Sequence, residues 1–162
     1  MNKLILIFLL FFSLFSTSVW SNDYEKAEEA FNNGNYELAV SLFYPLATEG
    51  DIDAVYKIGY IAFVFEEYIH AEKWLSVAAQ EYLNEDGTTS LGQPKAQYLL
   101  GQMYYSGLGV QQDYKIASDF MRLAASQGLA QAQYNLGKLY FDGVGVDKNH
   151  KEAFEWWAKA AE

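Results

Sequence analysis

The residues that could carry catalytic chemistry are few and widely separated in this chain. Cysteine is absent, and the two histidines, His70 and His150, stand far apart at what we predict to be equivalent positions, the starts of two helices. A zinc site needs three or four clustered ligands, so we expect both histidines to be solvated and predict no metal site. No serine is followed three residues later by a lysine, which excludes a Ser-x-x-Lys nucleophile. The sequence therefore predicts neither a catalytic residue nor a cofactor, and we expect a protein that is not an enzyme.

Two glycine pairs and two pairs of adjacent carboxylates could suggest phosphate or acid–base chemistry. The pairs at 107–109 and 143–145 lack the third glycine or the lysine of a phosphate-binding loop, and no strand is predicted before them. The neighbours Glu28-Glu29 and Glu66-Glu67 lie on predicted helices or turns, where such pairs usually form a solvated face. Neither pattern predicts a reaction.

The strongest pattern is an internal repeat with a period of 36 residues. The segment Ala96–Val110 returns as Ala132–Val146, with alanine, tyrosine, leucine and all three glycines in the same places. The match continues beyond the glycines, since Ala117 corresponds to Ala153 and Phe120 to Trp156. A fixed period of this size is typical of stacked-repeat proteins, whose units bury their apolar faces against their neighbours.

Each repeat reads as two helices joined by a glycine loop. Apolar residues recur at helical spacing over Ala96–Tyr105, and the glycines that follow end this first helix. Asp113 is placed to cap a second helix over Tyr114–Ser126. In the next copy, Asn149 and Glu152 have the spacing of a capping box. The sequence thus predicts a repeated helical hairpin.

The repeated unit A-x-Y-x-L-G-x-x-Y-x-x-G-x-G-V, followed by K-x-A, an aromatic residue and A-A, resembles the Sel1-like repeat, a relative of the tetratricopeptide repeat. The resemblance implies an all-α fold, a right-handed α-solenoid of about four antiparallel helix hairpins. It also implies an adaptor that works by binding other proteins.

Two more hairpins precede the matching pair. Residues 24–53 and 54–95 keep the alanine and aromatic positions but have short turns without the glycine loop, as in tetratricopeptide repeats. We therefore predict repeats at about 24–53, 54–95, 96–131 and 132–162. The polar segment Asn84–Pro94 is an insertion and is predicted to be an exposed loop, which either contacts a partner or is a tolerated surface excursion.

The first 21 residues read as a secretory signal peptide. Lys3 precedes an apolar run over Leu4–Phe15, and Val19 and Ser21 are the small residues of a cleavage site before Asn22. The alternative is an uncleaved anchor, for which the run is short. We expect a mature repeat domain at 22–162 that is exported, either periplasmic or secreted, and not inserted in a membrane after cleavage. Its 10 basic and 21 acidic side chains disfavour nucleic acid and anionic lipid as partners.

The resemblance also implies binding positions. In tetratricopeptide repeats the first helix of each hairpin lines the concave groove, and its contact positions lie three before, one after and four after the position of Gly101 here. In the last three repeats these positions are Tyr56, Tyr60, Phe63, Tyr98, Gln102, Tyr105, Tyr134, Lys138 and Phe141. The first repeat contributes Tyr24, Glu28 and Phe31. Two aromatic ladders result, a first ladder of Tyr24, Tyr56, Tyr98 and Tyr134 and a second ladder of Phe31, Phe63, Tyr105 and Phe141.

Aromatic rings in a groove suit a peptide-binding surface, and they serve equally well as repeat packing. We predict an exported module that binds a protein or peptide through the concave face. The alternative is a structural element of a cell-envelope or polysaccharide-export assembly, or a self-associating scaffold. End-to-end self-association through the terminal face with Trp156 and Trp157 is a further hypothesis.

Overall fold

A computed structural model describes residues 20–80, 82–83 and 89–162. Within them, eight helices form four antiparallel hairpins: α1 (Trp20–Asn32) with α2 (Tyr36–Thr48), α3 (Ile52–Val64) with α4 (Tyr68–Ala79), α5 (Pro94–Ser106) with α6 (Tyr114–Ser126), and α7 (Ala130–Asp142) with α8 (His150–Ala160). Residues 1–19, which hold nearly all of the predicted signal peptide, lie outside the described residues. So do residues 84–88 of the insertion.

The predicted all-α solenoid is confirmed, since each helix packs against the one before it and the one after it. The core has a repeated centre at the same position of all four second helices. This position is an alanine in every hairpin, and each one is fully buried: Ala39, Ala71, Ala117 and Ala153. A methyl group at this point lets the two helices of a hairpin approach closely, which is the basis of the repeated packing.

The helix starts follow the capping signals with one exception. The Asp113 carboxylate accepts hydrogen bonds from the main-chain N–H groups of Lys115 and Ile116, and α6 has the predicted bounds. The Asn149 side chain likewise accepts from the first turn of α8, including the N–H of Glu152. The other half of the predicted capping box is wrong, because the Asn149 N–H donates to the Tyr140 carbonyl and not to the Glu152 side chain.

The glycine loops, which connect the two helices of a hairpin, pack against the preceding hairpin. Gly109 and Gly145 both have positive φ, 69° and 70°. A side chain at Gly109 would overlap with Tyr68, and one at Gly145 would overlap with the Tyr114 carbonyl. Each loop therefore packs closely on the first turn of the second helix in the preceding hairpin.

Two buried glutamines also connect successive hairpins. Gln97 and Gln133 occupy the same position in α5 and α7, and their Nε2 groups donate to the carbonyls of Ala79 and Ala125, each at 3.2 Å. A buried amide needs such partners to offset its desolvation. The pairs tie each of these first helices to the end of the preceding second helix.

The insertion before α5 is not simply an exposed loop. Two short strands pair antiparallel, β1 (Tyr82–Leu83) just before the insertion and β2 (Thr89–Ser90) within it. Pro94 begins α5, where its missing N–H costs nothing, so it belongs to the helix and not to the loop. The Gln93 N–H donates to the Ala78 carbonyl at 2.7 Å and fixes the base of the insertion against α4.

Among the helices described, none has both the length and the apolar character needed to cross a membrane.

Candidate binding groove

The predicted contact positions all lie on the first helices of the hairpins, α1, α3, α5 and α7. The structure divides this surface into two halves. On α1 and α3 the side chains are half-buried and hold one another, whereas on α5 and α7 several are exposed beside a pocket. We call these the N-terminal half and the C-terminal half of the groove.

Contacts within the chain fill the N-terminal half. Lys57 forms an ion pair with Glu28 at 2.6 Å, and its Nζ lies 4.0 Å from the centre of the Phe31 ring. The Tyr60 ring is 5.7 Å from Phe31 and 6.1 Å from Tyr56 between centroids. A ligand on this half would have to displace these contacts.

The first-ladder tyrosines of this half, Tyr24 and Tyr56, are partly buried. This burial raises the pKa of Tyr56 to about 12, with a smaller contribution from Tyr60. Burial raises the pKa of Tyr24 as well, and the negative charges of Asp53 and Glu28 add to the effect. The Tyr24 hydroxyl donates to Glu28 at 3.3 Å. Both phenols are therefore held in the neutral form.

The rings of the second ladder connect the two helices of each hairpin. Each of its rings contacts the first residue of the second helix in the same hairpin, at centroid distances of 5.7, 5.7, 5.2 and 4.7 Å for Phe31–Tyr36, Phe63–Tyr68, Tyr105–Tyr114 and Phe141–His150. The sequence interpretation missed this pairing. Its signal was present, because an aromatic residue or histidine stands three residues before the repeated alanine in every hairpin.

The same alignment corrects the placing of the histidines. His150 is the first residue of α8 and corresponds to Tyr68, while His70 is the third residue of α4. The two are therefore not equivalent. His150 packs on Phe141, and His70 lies 3.8 Å from the Glu67 carboxylate.

Tyr98 links α5 to α7 through its hydroxyl. That oxygen accepts hydrogen bonds from Gln102 Nε2 at 3.0 Å and from Asn135 Nδ2 at 3.1 Å. A hydroxyl has one proton and two lone pairs, so it can receive both amides at once. Among the described residues the carbonyl oxygens of these two amides have no hydrogen-bond partner, and neither is sealed from solvent.

The same three positions meet at the first junction between hairpins. There the trio is Tyr24, Glu28 and Lys57, which is an ionic form of Tyr98, Gln102 and Asn135. We call each trio a junction triad. At each of these two junctions the residue directly after the ladder tyrosine of the next hairpin, Lys57 or Asn135, completes the triad, and the sequence interpretation left it out.

The C-terminal half contains a pocket of about 250 Å³ between α5 and α7, with Ala117 and Met121 of α6 also in its wall. Three predicted site residues line it, Gln102, Tyr105 and Lys138. The pocket also includes residues that the sequence interpretation did not name, Asn135 and Asp142 among them. Tyr98, Tyr134 and Phe141 are not part of its lining.

The remaining C-terminal positions form a separate aromatic cluster. The Tyr134 and Phe141 rings lie 6.5 and 5.6 Å from Trp157, and the Trp157 Nε1 donates to the Tyr134 carbonyl at 3.0 Å. Tyr134 is 58% exposed and Phe141 is 39% exposed. These rings lie on the last hairpin and offer an apolar surface next to the groove.

The charges at the pocket are unpaired. Lys138 and Asp142 are one helical turn apart on α7, and neither forms an ion pair within the described residues. By contrast, Lys115 and Asp119 pair at 2.6 Å on α6, and the hydrogen bond from Lys115 lowers the pKa of Asp119 in spite of partial burial. In the part of the chain that the structure describes, no three His, Cys, Asp or Glu side chains cluster as metal ligands would.

Known proteins are similar to this chain in both sequence and structure. The family model described as Sel1 repeat matches residues 94–129 and 130–162. The crystal structure of a Sel1 repeat protein from Oxalobacter formigenes superposes with a TM-score of 0.61 at 33% identity, over 74% of this chain and 85% of that one. This chain belongs to the Sel1 repeat family. No curated protein matches it.

A second crystal structure extends the likeness to a longer Sel1 repeat protein. It is a protective antigen present in uropathogenic Escherichia coli strains, displaying an SLR fold, with 32% identity and a TM-score of 0.72. The match covers 86% of this chain, and this chain spans 29% of the length of that antigen. Within the present chain, the pocket lies between the first helices of the two segments that the family model matches.

Proposed function

We propose that this protein is an exported, non-enzymatic interaction module that binds a protein or peptide in the C-terminal half of its groove. The observation that carries the proposal is the pocket lined by Gln102, Tyr105 and Lys138. At the equivalent positions of the first hairpin, Lys57 forms an ion pair with Glu28 and lies over the Phe31 ring. One half of the groove is therefore filled from within, and the other half is open to a ligand.

The physical basis of binding is preorganisation. The pocket walls are held by the Tyr98 junction triad, by the Tyr105–Tyr114 ring contact and by the packing of α6 beneath them. A groove that is already ordered loses little conformational entropy when a flexible segment docks. Tyr105 is 39% exposed and offers a large ring with a hydroxyl, which suits a contact at the centre of an interface.

The binding proposal is tested by capture of partners from an envelope extract. Tyr105→Ala removes the exposed ring of the pocket and should abolish capture. Leu123→Ala on α6 is the matched control, since Leu123 is 37% exposed and lies outside the pocket lining. Circular dichroism must show both variants folded. A partner retained equally by the two variants would place binding elsewhere on the protein.

Export forms part of the proposal and has its own test. Cleavage before Asn22 would remove the first two residues of α1 together with the preceding apolar run. We expect cell fractionation to recover the protein from the envelope or the medium, with Asn22 as its first residue by mass spectrometry. Recovery of an uncleaved chain in the membrane fraction would favour the anchor instead.

An assembly role is the second candidate, and exposed rings on the last hairpin favour it. Trp157 stands where Leu75 and Met121 stand in earlier hairpins, and those two are buried while Trp157 is half-exposed. Phe154, beside Trp157 at 5.6 Å, is 62% exposed. Association in this form should depend on Phe154 and be visible by light scattering, while partner capture should be unaffected by Phe154→Ser.

The first hairpin limits how copies could associate. Lys26 and Glu29 on α1 are exposed, and they occupy the positions of Ile58 and Ile61, which are fully buried on α3. The face of α1 that carries them is therefore polar, whereas the same face of α3 is apolar. Head-to-tail stacking of copies is disfavoured, and a self-associating form would join last hairpin to last hairpin.

A further inference from the structure

The pocket has a pattern of free charges and free acceptors that specifies its ligand further. Resting on the proposed function above, we propose that the pocket binds an extended peptide segment with one acidic and one basic side chain two residues apart. The acidic group would face Lys138 and the basic group would face Asp142. Main-chain N–H groups of the same segment would donate to the amide oxygens of Gln102 and Asn135.

The shape of the pocket favours an extended chain running along the helices. Its α7 wall comes from successive turns, with Asn135, Lys138 and Asp142 all on one face. Its opposite wall on α5 includes Gln102 and Tyr105, again on adjacent turns. A cleft that follows α7 for about two turns and α5 for about one accommodates a linear segment lying between the two helices.

The spacing of the charges fits the repeat of an extended chain. Lys138 and Asp142 are four residues apart in a helix, which places them about 6 Å apart along the axis. In an extended peptide, side chains two residues apart point to the same side and are about 6.6 Å apart. One acidic and one basic residue in that relation match both charges, whereas adjacent residues point to opposite sides.

Neither charge has an ion-pair partner among the residues that the structure describes. Lys138 and Asp142 could have paired with each other, since oppositely charged residues at this spacing on a helix often do. They do not pair, while Lys151 and Glu155 at the same spacing on α8 lie 3.6 Å apart. Lys138 and Asp142 are both exposed, so each can meet a ligand charge with little desolvation.

The two amide oxygens are also placed to bind the main chain of the peptide. Gln102 and Asn135 both give a side-chain N–H to the Tyr98 hydroxyl, which fixes the orientation of each amide. In the described part of the chain, the carbonyl oxygen of each amide accepts no hydrogen bond. A peptide backbone in an extended form supplies N–H donors at regular intervals without any demand on sequence. The amides would thus hold the backbone, and the two charges would select the side chains.

The experiment uses the full chain and an array of synthetic peptides about eight residues long, with blocked termini and a neutral Ala/Ser/Tyr background. One Glu and one Lys are placed at every separation and in both orders. We expect the best binding at a separation of two residues and in only one of the two orders, which reports the direction of the chain. Each exposed ion pair should contribute about two- to fivefold in affinity.

The decisive variant is the charge exchange Lys138→Glu/Asp142→Lys. It keeps the net charge and exchanges the sites, so the preferred order of Glu and Lys in the peptides should reverse. Lys73→Glu on α4 is the control, since Lys73 is exposed and lies outside the pocket lining. Peptides that bind with no preference for order or separation would overturn the charge pattern but leave peptide binding standing. Binding of no peptide, with partner capture also insensitive to Tyr105→Ala, would overturn the proposed function itself.

Discussion

The hydroxyl of Tyr98 on α5 lies 3.1 Å from the side-chain nitrogen of Asn135 on α7, so a tyrosine of the first ladder joins two hairpins. Gln102 donates to the same hydroxyl and lines the pocket. The residues that hold the two hairpins together are thus continuous with those that border the open groove. Stability of this junction and order of the pocket should change together.

Tyr98→Phe tests that link. The change removes one hydroxyl oxygen and its two hydrogen bonds, and we expect the free energy of unfolding to fall by about 1–2 kcal/mol, measured by urea denaturation. Tyr134→Phe is the matched control, because the Tyr134 hydroxyl has no hydrogen bond in the described part of the chain, and its effect should stay within about 0.5 kcal/mol. Equal losses of unfolding free energy in the two variants would contradict a stabilising role for the Tyr98 hydrogen bonds.

The glycine loops should tolerate a methyl group very differently from other left-handed glycines. Gly128→Ala meets nothing within 4 Å and carries only the strain of positive φ, about 1 kcal/mol. Gly145→Ala carries the same strain and also overlaps with the Tyr114 carbonyl, so about 1–3 kcal/mol more is expected. Thermal or urea unfolding of both variants measures the difference. Similar losses would mean that the loop does not pack on the preceding hairpin as described.

Two helical glycines differ in what stands opposite them. At Gly101 a new methyl group would meet the flexible end of Met121, which can move aside. At Gly137 it would meet the rigid Trp157 ring at 2.5 Å and the Ala153 carbonyl at 3.0 Å. We therefore expect Gly101→Ala to change stability by no more than about 1 kcal/mol and Gly137→Ala to cost about 1–3 kcal/mol, measured by denaturant unfolding.

Much of the fold could be predicted because its signals are local. The repeat itself, the bounds of α6 and the cap at Asp113 follow from spacing and from single residues. The capping box at Asn149 could not be settled in this way. Its outcome depends on the Tyr140 carbonyl, which the hairpin brings to the Asn149 N–H from the preceding helix.

The site was only partly predictable, because side chains from neighbouring hairpins decide which positions are open. Glu28 and Gln102 occupy the same place in their repeats, but Lys57 fills the groove beside Glu28, whereas Asn135 leaves Gln102 at a pocket. The residue after the ladder tyrosine makes this difference. It acts on the preceding hairpin, so the sequence pattern of one repeat alone does not predict which positions are open.

Alkaline pH should weaken the fold through the buried first-ladder tyrosines. The pKa of Tyr56 is about 12 in the folded state against an ordinary value of 10.0, and the pKa of Tyr24 is raised too. The neutral phenols are therefore favoured by folding, and their contribution is complete below pH 10 and is lost as the pH rises toward 12 and above. Urea midpoints measured across this range should fall less steeply for Tyr56→Phe than for the wild type. An unchanged slope would contradict the burial of this phenol.

A partner bound in the C-terminal half of the groove should be captured directly by site-specific photo-crosslinking. A photoreactive amino acid replaces Lys138 in the pocket lining, or Lys73 on α4 as the control, and cells producing each protein are irradiated. We predict a discrete protein adduct from position 138 and none from position 73. An adduct of equal strength from position 73, or none from position 138, would contradict binding in this half of the groove.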